Sequence, residues 1–309
     1  MNVLHALDQR ERPETPLVLA IGFFDGVHLG HQRVIGLCRD KAREIGAQSW
    51  VMTFDPHPLH VVQPSAAPLL LTGLPAKVEL LADLGVDGCL VMPFTPEFAE
   101  WSPEAFLEHL VHGAPGLREI VIGENWRFGR KASGDVQRLK DLAARHGFQV
   151  TVANPVRHGG HAVSSSRVRE AVARGQLDEA ARMLGRPHAV RGTVVKGAQR
   201  GRRLGFPTAN LDLTGFALPP PGIYAARVRL DNRKYGGAVY LPAPPHGAPS
   251  GLLEVHLLDF SGDVYERELT VSLCAHLRDD NRRFTDEADL IRQIGEDIRA
   301  IRQVLETQS

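Results

Sequence analysis

The sequence predicts an α/β domain with a parallel sheet, followed by a small antiparallel β-barrel and a C-terminal helix. Two observations predict this fold class. Up to residue 186, apolar runs that are typical of buried strands alternate with segments of helical period, which favours a parallel sheet with helices on both faces. From Pro187 onward, short strand-like runs are separated by Gly- and Pro-rich turns, which is typical of an antiparallel barrel. We therefore expect two domains, residues 1–186 and 187–309.

The elements of the first domain follow from this alternation. The predicted strands are 17–23, 49–54, 88–94, 119–123 and 148–153, and the predicted helices are 32–45, 75–84, 103–111, 135–146, 165–174 and 177–184. In a sheet of this kind, ligands bind beyond the carboxyl ends of the strands. His28, Asp55 and Glu124 each follow shortly after a predicted strand, so we expect their side chains to belong to one site.

Five strands and one helix are predicted in the second domain. The strands are 189–195, 224–230, 237–241, 252–260 and 269–273. Residues 286–305 have a helical period and are predicted to pack on the barrel through Leu290, Ile291, Ile294, Ile298, Ile301 and Leu305. The proline-rich stretch 241–250 is predicted to be a loop without regular structure.

The composition excludes several function classes. The 36 Lys and Arg residues balance 36 Asp and Glu residues, so no net field draws the chain to nucleic acid or anionic lipid. Residues 1–16 contain no apolar core of a signal peptide, and no apolar run approaches the about 18 residues of a membrane span. Cys38, Cys89 and Cys274 are far apart and are predicted to be buried thiols. We expect a cytoplasmic protein with small-molecule substrates, whose oligomeric state the sequence does not predict.

The segment 22–31, which reads GFFDGVHLGH, is the strongest indication of function. Its three glycines allow backbone amides to close on an anion, and the N-terminus of the following helix adds partial positive charge. His28 and His31 are three residues apart at the start of that helix, so their side chains face the same way. Imidazoles in this position can donate hydrogen bonds to charge that develops on a phosphate. A Gly-rich turn with two incidental histidines is the alternative.

This segment resembles the signature of the HxGH nucleotidyltransferase superfamily. Its particular residues resemble the version of that signature found in the bacterial bifunctional riboflavin kinase/FAD synthetase family. The resemblance implies a Rossmann-like domain, residues 1–186, that transfers AMP from ATP to FMN and so makes FAD and pyrophosphate. It implies a riboflavin kinase-like barrel, residues 187–309, that phosphorylates riboflavin to FMN. The implied cofactor is Mg²⁺, with ATP as co-substrate and FMN and FAD as product or substrate.

Three further motifs of the first domain are similar to family motifs. The family's TFxPHP, which lies beside the nucleotide and flavin pocket, corresponds to 53–58, although a plain turn is the alternative. The pattern G-x-[DN]-F-x-F-G corresponds to 123–129, where Trp126 replaces a Phe and the aromatic pair either stacks on a flavin or pins the loop. The phosphate-binding ISSTxxR corresponds to 163–169, with Ser166 in place of Thr and an ordinary helix cap as the alternative.

Residue by residue, the resemblance assigns roles in adenylyl transfer. The implied catalytic groups are His28, His31 and Arg169. The implied nucleotide- and flavin-binding residues are Gly22, Phe24, Asp25, Gly26, Gly30, Asp55, His57, Asn125, Phe128, Ser164, Ser165 and Ser166. No general base is needed, because the attacking phosphate is already ionised.

The second domain opens with a glycine-rich basic segment, 192–211, that lacks the P-loop spacing GxxxxGK[ST]. Its glycine amides and Arg202 could hold phosphates, and Thr208 and Asn210 offer hard oxygen ligands to Mg²⁺. A solvated basic turn and an RNA-binding patch are the alternatives, and the neutral chain argues against the second. The string GRRLGFPTANL resembles the nucleotide and metal motif of riboflavin kinases. It implies nucleotide binding by Gly197, Gly201, Arg202, Gly205, Thr208 and Asn210, the last two also holding the metal.

Glu254 is implied to be the general base that removes the proton of the ribityl hydroxyl, with a structural partner for an arginine as the alternative. The segment 277–284 is similar to the family's flavin-side loop, LRxExxF, with Asp280 or Asn281 near its acidic position. One stretch departs from the family. Residues 238–247 read AVYLPAPPHG where the family has N-I-G-x-x-P-T.

This departure keeps alternative functions open. The first is FAD synthesis alone, with the barrel reduced to a flavin-binding or regulatory module. The second is nucleotidyl transfer to another phosphate, against which the barrel motif argues. The third is a binding protein that senses flavin without ATP turnover.

Overall fold

The computed structural model describes residues 1–9, 11–197, 200–231, 233–243, 251–280, 284 and 286–307. Contacts between Cα atoms divide the chain into two compact units. The first unit consists of Met1–Pro68 and Leu74–Ser164, and the second consists of Leu69–Gly73 and Ser165–Ser309. The helices at 165–184 thus belong to the second unit by contacts, while the domain boundary at 186/187 stays a prediction.

The first unit contains a six-stranded parallel sheet, which confirms the predicted α/β fold. Its strands are β1 (Asn2–Leu4), β2 (Leu17–Ile21), β3 (Gln48–Asp55), β4 (Gly88–Pro93), β5 (Leu117–Gly123) and β6 (Gln149–Ala153), in the order β1-β4-β3-β2-β5-β6. All five predicted strands are present, with ends shifted by a few residues. Strand β1 was not predicted, because three residues are too few to show a period.

Helices cover both faces of this sheet. They are α1 (Leu29–Glu44), α2 (Pro58–Val62), α3 (Leu74–Asp83), α4 (Pro96–Ala99), α5 (Pro103–Gly113) and α6 (Val136–His146). Along β2, Leu17, Leu19 and Ile21 join one core with residues of α5 and α6. Val18 and Ala20 point to the opposite face and join residues of α1 and α3. A strand buried on both faces reads as a continuous apolar run, as this one does. A small hairpin, β7 (Arg157–His158) and β8 (His161–Ala162), follows β6.

The second unit contains a closed antiparallel barrel, as predicted. Its strands are β9 (Ala189–Val195), β10 (Ala209–Asp212), β11 (Gly222–Leu230), β12 (Arg233–Leu241), β13 (Leu252–Leu257) and β14 (Glu268–Asp279), in the order β10-β13-β12-β11-β14-β9. Strand β10 was missed because it lies inside the glycine-rich motif. Strand β13 ends before the predicted residue 260, since Asp259 takes a positive φ of 56°.

The helices of the second unit are α7 (Ser165–Ala173), α8 (Leu177–Leu184), α9 (Arg200–Arg203) and α10 (Glu287–Thr307). As predicted, α10 packs on the barrel, with Ile298, Ile301 and Leu305 against residues such as Leu258. Ile291, which was also predicted to pack there, is instead 40% exposed. The Arg278 guanidinium donates to the Asp297 carboxylate at 2.7 and 3.0 Å and so ties the helix to β14. Of the predicted loop 241–250, Leu241 is the last residue of β12, and residues 244–250 lie outside the described part of the chain.

All three cysteine thiols are buried and unbonded to one another, as predicted. Burial raises the pKa of Cys38 to about 12 and that of Cys89 to about 11, so these thiols are protonated at neutral pH. Among the described residues, no helix combines the length and the apolar character that a bilayer crossing requires.

Gly88 marks a close approach in the sheet that a substitution can test. A Cβ atom at this position would lie 2.3 Å from the Trp50 indole, which is 5% exposed. We expect Gly88→Ala to lower the free energy of unfolding by about 1–3 kcal/mol, because the indole must move in a packed core. Urea unfolding followed by circular dichroism measures this change.

The matched control is Gly36→Ala. Gly36 lies within α1, and apart from its chain neighbours and the nearby helix backbone no atom lies within 4 Å of its virtual Cβ, so alanine there is expected to stabilise by up to about 1 kcal/mol. Equal effects of the two substitutions would contradict the packing of Trp50 on Gly88.

Candidate active sites

The first candidate site lies where the strand order of the parallel sheet reverses. Strands β3 and β4 lie on one side of β2 in the sheet, and β5 and β6, which come later in the sequence, lie on the other side. The gap beyond the carboxyl ends of β2 and β5 is therefore the switch point at which such sheets bind ligands. His28 follows β2, Asp55 is the last residue of β3, and Glu124 follows β5, and these three strands are neighbours in the sheet. That the three side chains belong to one site stays a prediction.

A tight turn connects β2 to α1 at this point. Phe24 has a φ of 57° and Gly26 a φ of 80°, a conformation that costs a residue with a Cβ much more than glycine. The Phe24 ring is 2% exposed and covers Gly22, where a Cβ would lie 2.9 Å from the ring. Asp25 is buried as well, at 1% exposed. These residues shape the turn, and their contact with a ligand stays a prediction.

His28 and His31 are brought together at the start of α1, which confirms that their side chains face the same way. Their rings are stacked, with centroids 3.5 Å apart and planes 19° from parallel. His28 caps the helix, because its Nδ1 accepts the His31 backbone N–H at 3.3 Å. Gly30 leaves room for this cap, since a Cβ there would lie 3.0 Å from the His28 ring. The two imidazoles thus stand beside the positive end of a 16-residue helix.

Lys77 is a residue of this region that the sequence reasoning missed. Its Nζ donates to the Phe23 carbonyl oxygen at 3.0 Å and to Thr53 Oγ1 at 3.4 Å, and its side chain is buried. A signal was available: Lys77 lies on the apolar face of α3, between Leu74 and Leu81 in the i, i+3, i+4, i+7 pattern, where a lysine is out of place.

The residues proposed for the pocket edge lie at the end of β3 and directly after it. Asp55 is exposed at the last position of β3. His57 caps the short helix α2, its Nδ1 accepting the Leu59 backbone N–H at 3.1 Å. The His57 ring also meets the Phe23 ring edge-on, with centroids 4.0 Å apart. Binding of a nucleotide or flavin by Asp55 and His57 stays a prediction.

The loop after β5 is held by its own aromatic residues. Trp126 and Phe128 stack on each other with centroids 4.6 Å apart, and Phe128, 7% exposed, belongs to the core with Phe106. This packing favours the interpretation in which the pair pins the loop, because a buried ring offers little face to a flavin. Asn125 is exposed at the tip of the loop, and flavin binding by Asn125 or Phe128 stays a prediction.

The serine and arginine motif spans the point in the sequence where the first unit ends and the second begins. Ser164 ends the first unit, whereas Ser165 and Ser166 open α7 in the second. Arg169, on the same helix, donates its Nε–H to the Leu69 carbonyl oxygen at 2.7 Å. A role of these residues in phosphate binding stays a prediction.

The second candidate site lies on the barrel, where three predicted residues lie on or beside two adjacent strands. Asn210 on β10 is the register partner of Glu254 on β13, and Thr208 directly precedes β10. The Thr208 hydroxyl donates to Glu254 Oε2 at 3.1 Å. A hydroxyl, an amide and a carboxylate are thereby placed side by side, the first two being hard oxygen donors of the kind that Mg²⁺ accepts.

The glycine-rich segment folds close to these residues. A Cβ at Gly197 would lie 2.4 Å from the Asn210 amide nitrogen, so only glycine admits the amide there. A Cβ at Gly201 would lie 3.2 Å from the Thr208 hydroxyl, and Gly205 has a positive φ of 86°. The Arg202 side chain, residues 198–199 and Asn281 lie outside the described residues. Phosphate binding by this segment stays a prediction.

The stretch that departs from the family begins within β12. Tyr240 is the register partner of Glu254, and its hydroxyl donates to Asp280 Oδ2 at 2.9 Å. Burial and the neighbouring Asp280 carboxylate raise the pKa of Tyr240 to about 12, so it remains a neutral donor. The departure therefore places a tyrosine beside the proposed base.

Comparison with known proteins matches each half of the chain to a family. A model of the FAD synthetase family matches residues 10–167, and a model of the riboflavin kinase family matches residues 184–305. A bifunctional riboflavin kinase/FMN adenylyltransferase from Pseudomonas fluorescens is 36% identical over 294 residues, which cover 94% of each chain. One from Listeria monocytogenes is 35% identical and covers 95% of this chain and 94% of that one. The chain belongs to the bifunctional riboflavin kinase/FMN adenylyltransferase family.

A solved structure shares the fold. It is a crystal structure of a Streptococcus pneumoniae protein described as a macrolide-efflux protein, with a TM-score of 0.83, 27% identity, and coverage of 97% of this chain and 98% of that one. Within the family, the motif residues of this chain lie in two separate places. The histidines lie at the switch point of the sheet, and Thr208, Asn210 and Glu254 lie on the barrel.

Proposed function

We propose that this chain makes FAD in two steps, phosphorylating riboflavin to FMN on the barrel and transferring AMP from ATP to FMN at the parallel sheet. One observation carries the proposal. Each of the two segments that match a family contains its own set of motif side chains in contact with one another. The stacked His28 and His31 lie within the FAD synthetase match, and the linked Thr208 and Glu254 lie within the riboflavin kinase match.

Adenylyl transfer requires orientation and charge stabilisation more than proton transfer. The phosphate of FMN is already a nucleophile, and it attacks the α-phosphate of ATP while pyrophosphate leaves. The N-terminus of α1 offers the partial positive charge of its dipole to these phosphates. His28 and His31 donate hydrogen bonds to the charge that grows as the bond to pyrophosphate breaks.

The kinase step differs, because a hydroxyl must lose its proton. Glu254 accepts the proton of the ribityl hydroxyl as it attacks the γ-phosphate of ATP. The Thr208 hydroxyl, which donates to Glu254 in this structure, orients the carboxylate.

The donor set beside Glu254 suits Mg²⁺. Thr208 and Asn210 would hold the ion with substrate phosphates, and the ion would neutralise charge on those phosphates. Within the described residues, no cluster of three or more His, Cys, Asp or Glu could hold a metal. A site with few protein ligands is nevertheless how Mg²⁺ commonly binds with a nucleotide.

Two alternatives are less well supported. A barrel reduced to flavin binding alone has no need of the linked Thr208 and Glu254, which are present here. A role in macrolide efflux, which the S. pneumoniae protein's description names, is the second, and this chain's motif residues are instead those of the two flavin enzymes. The buried free thiols and the use of ATP support a cytoplasmic location, with riboflavin, FMN and ATP as partners and no nucleic acid.

The test is chromatography of flavins after incubation with ATP and Mg²⁺, started in parallel from riboflavin and from FMN. FAD from both is the expected result. FAD from FMN alone would mean that the barrel is not a kinase, and FAD from neither would overturn the proposal.

Asn210→Ala tests the proposed Mg²⁺ ligand. Removing one hard oxygen is expected to raise the Mg²⁺ concentration for half-maximal kinase rate by about tenfold, which corresponds to about 1.4 kcal/mol. Titration of Mg²⁺ at fixed ATP measures this shift for FMN formation and for FAD formation in the same preparation. Asn210→Asp, which keeps an oxygen at this position, is expected to show no such rise. An equal shift in FAD formation would contradict the assignment of Asn210 to the kinase site.

A further inference from the structure

Lys77 carries a buried charge that the reaction proposed above does not use. The residue is 2% exposed, and its ammonium lies 3.8 Å from the centroid of the Phe23 ring. A lysine is almost never fully buried unless its charge is engaged, because desolvation of an ammonium is costly. A packing role alone would be met by a methionine or leucine on this apolar face of α3, at no such cost.

The contacts of Lys77 connect two loops of the first candidate site. Its Nζ donates to the carbonyl oxygen of Phe23, the residue that begins the turn leading to His28 and His31. The Phe23 ring contacts both the Lys77 ammonium and the His57 ring, which belongs to the loop after β3. The Thr53 hydroxyl on β3 donates to the same carbonyl oxygen at 2.8 Å. Lys77 therefore holds both the backbone and the ring of the residue where the loops meet.

The surroundings explain how the charge persists. Burial lowers the pKa of Lys77 to about 8, while the carboxylates of Asp25 and Asp55 favour the ammonium form. The side chain is thus charged at neutral pH and loses its proton under mildly alkaline conditions. A buried charge that weakens the folded state is a feature that recurs at functional sites.

We propose that Lys77 is a positioning residue for adenylyl transfer, which acts through Phe23 to hold the His28–His31 loop and the Asp55–His57 loop in one arrangement. This inference rests on the proposed FAD synthesis. The two loops come from different strands, so nothing in their local sequence fixes their separation. A displacement of about 1 Å between reacting groups is enough to cost about 100-fold in rate.

Lys77→Met tests the proposal, with Lys41→Met as the matched control. Methionine keeps the length and apolar stem, and Thr53 still satisfies the Phe23 carbonyl. We expect kcat for FAD formation from FMN to fall about 10- to 100-fold with much smaller changes in KM, while FMN formation is unchanged. Lys41 is a partly exposed lysine of the same unit that pairs with Glu44, so its substitution is expected to leave both rates unchanged.

Two readouts separate positioning from a merely structural role. The melting temperature of Lys77→Met is expected to equal or exceed that of the wild type, because the cost of the buried ammonium is gone. That advantage is expected to shrink as pH rises above 8, since the wild-type folded state then releases the proton that its unfolded state keeps.

The pH profile is the second readout. The wild-type kcat for FAD formation is expected to fall above pH 8, and this limb is expected to be absent from Lys77→Met. The charged and titratable groups around Lys77 are Asp25, Asp55, His57 and Cys89, and all of them remain in the variant. A limb caused by any of them would therefore persist.

The outcomes are distinct. A wild type that makes FAD together with a Lys77→Met variant of equal kcat overturns this inference alone. A loss of activity that follows a lowered melting temperature, with the alkaline limb intact, also overturns it in favour of a structural role. A wild type that makes no FAD overturns the proposed function itself, and this inference with it.

Discussion

Replacement of His31 with alanine is expected to lower the rate of FAD formation from FMN by about 10²- to 10³-fold, the usual cost of one donor to developing charge. The His31 ring stacks on His28 at the start of α1, so its loss removes a donor placed beside the helix dipole. Formation of FMN from riboflavin is expected to be unchanged, because the barrel residues are untouched. Both rates can be measured by chromatography of flavins in one preparation.

Two variants accompany this measurement. His31→Gln retains an N–H donor and is expected to recover part of the lost rate. His146→Ala removes an exposed histidine at the end of α6 and is expected to have no effect on either rate. An equal loss of FAD and FMN formation in His31→Ala would contradict the assignment of two separate sites.

Glu254→Gln is expected to have the converse effect, lowering FMN formation by about 10²- to 10⁴-fold while FAD formation from added FMN is unchanged. Glutamine keeps the size of the side chain and an oxygen that accepts the Thr208 hydroxyl, so the variant removes the base with little change in packing. The kinase rate at saturating riboflavin and ATP, measured across pH, checks this result.

Glu268→Gln is the matched control on the same barrel. Glu268 starts β14 and pairs with Arg191, with half of its side chain exposed, so its loss is expected to cost no more than about 1 kcal/mol of stability and no activity. An unchanged kinase rate in Glu254→Gln would reject Glu254 as the base. If the Glu254→Gln variant is destabilised enough to account for its loss of kinase rate, the structural alternative is favoured.

The motif residues differ in how far local sequence predicted their geometry. The stacking of His28 and His31 follows from their spacing of three at a helix start, which is a property of the chain itself. The link between Thr208 and Glu254 does not, since 46 residues separate them and only strand pairing brings them together. The family resemblance identified Thr208 and Glu254 as candidates from the sequence. The distance between their side chains is known only from the folded barrel.

Other features could not be predicted in this way. The mutual stacking of Trp126 and Phe128 depends on a core to which α5 contributes Phe106. The grouping of α7 and α8 with the barrel unit depends on contacts that no local pattern encodes. The sequence of α7 and α8 is typical of two more helices in an alternating α/β pattern. A helical period shows which face of a helix is apolar, but it does not show what covers that face.

By itself, the sequence determined the two fold classes and the family, and it predicted candidate residues for the two reactions. Hydrophobic periods of two and of 3.6 residues, like short motifs, are local features of the sequence. They can therefore be recognised without knowledge of the rest of the chain. The tertiary structure decided the strand order that places α1 at the switch point, the pairing of Tyr240 with Asp280, and the burial of Lys77. Each of these depends on distant segments meeting, and their free energy comes from contacts that exist only in the folded chain.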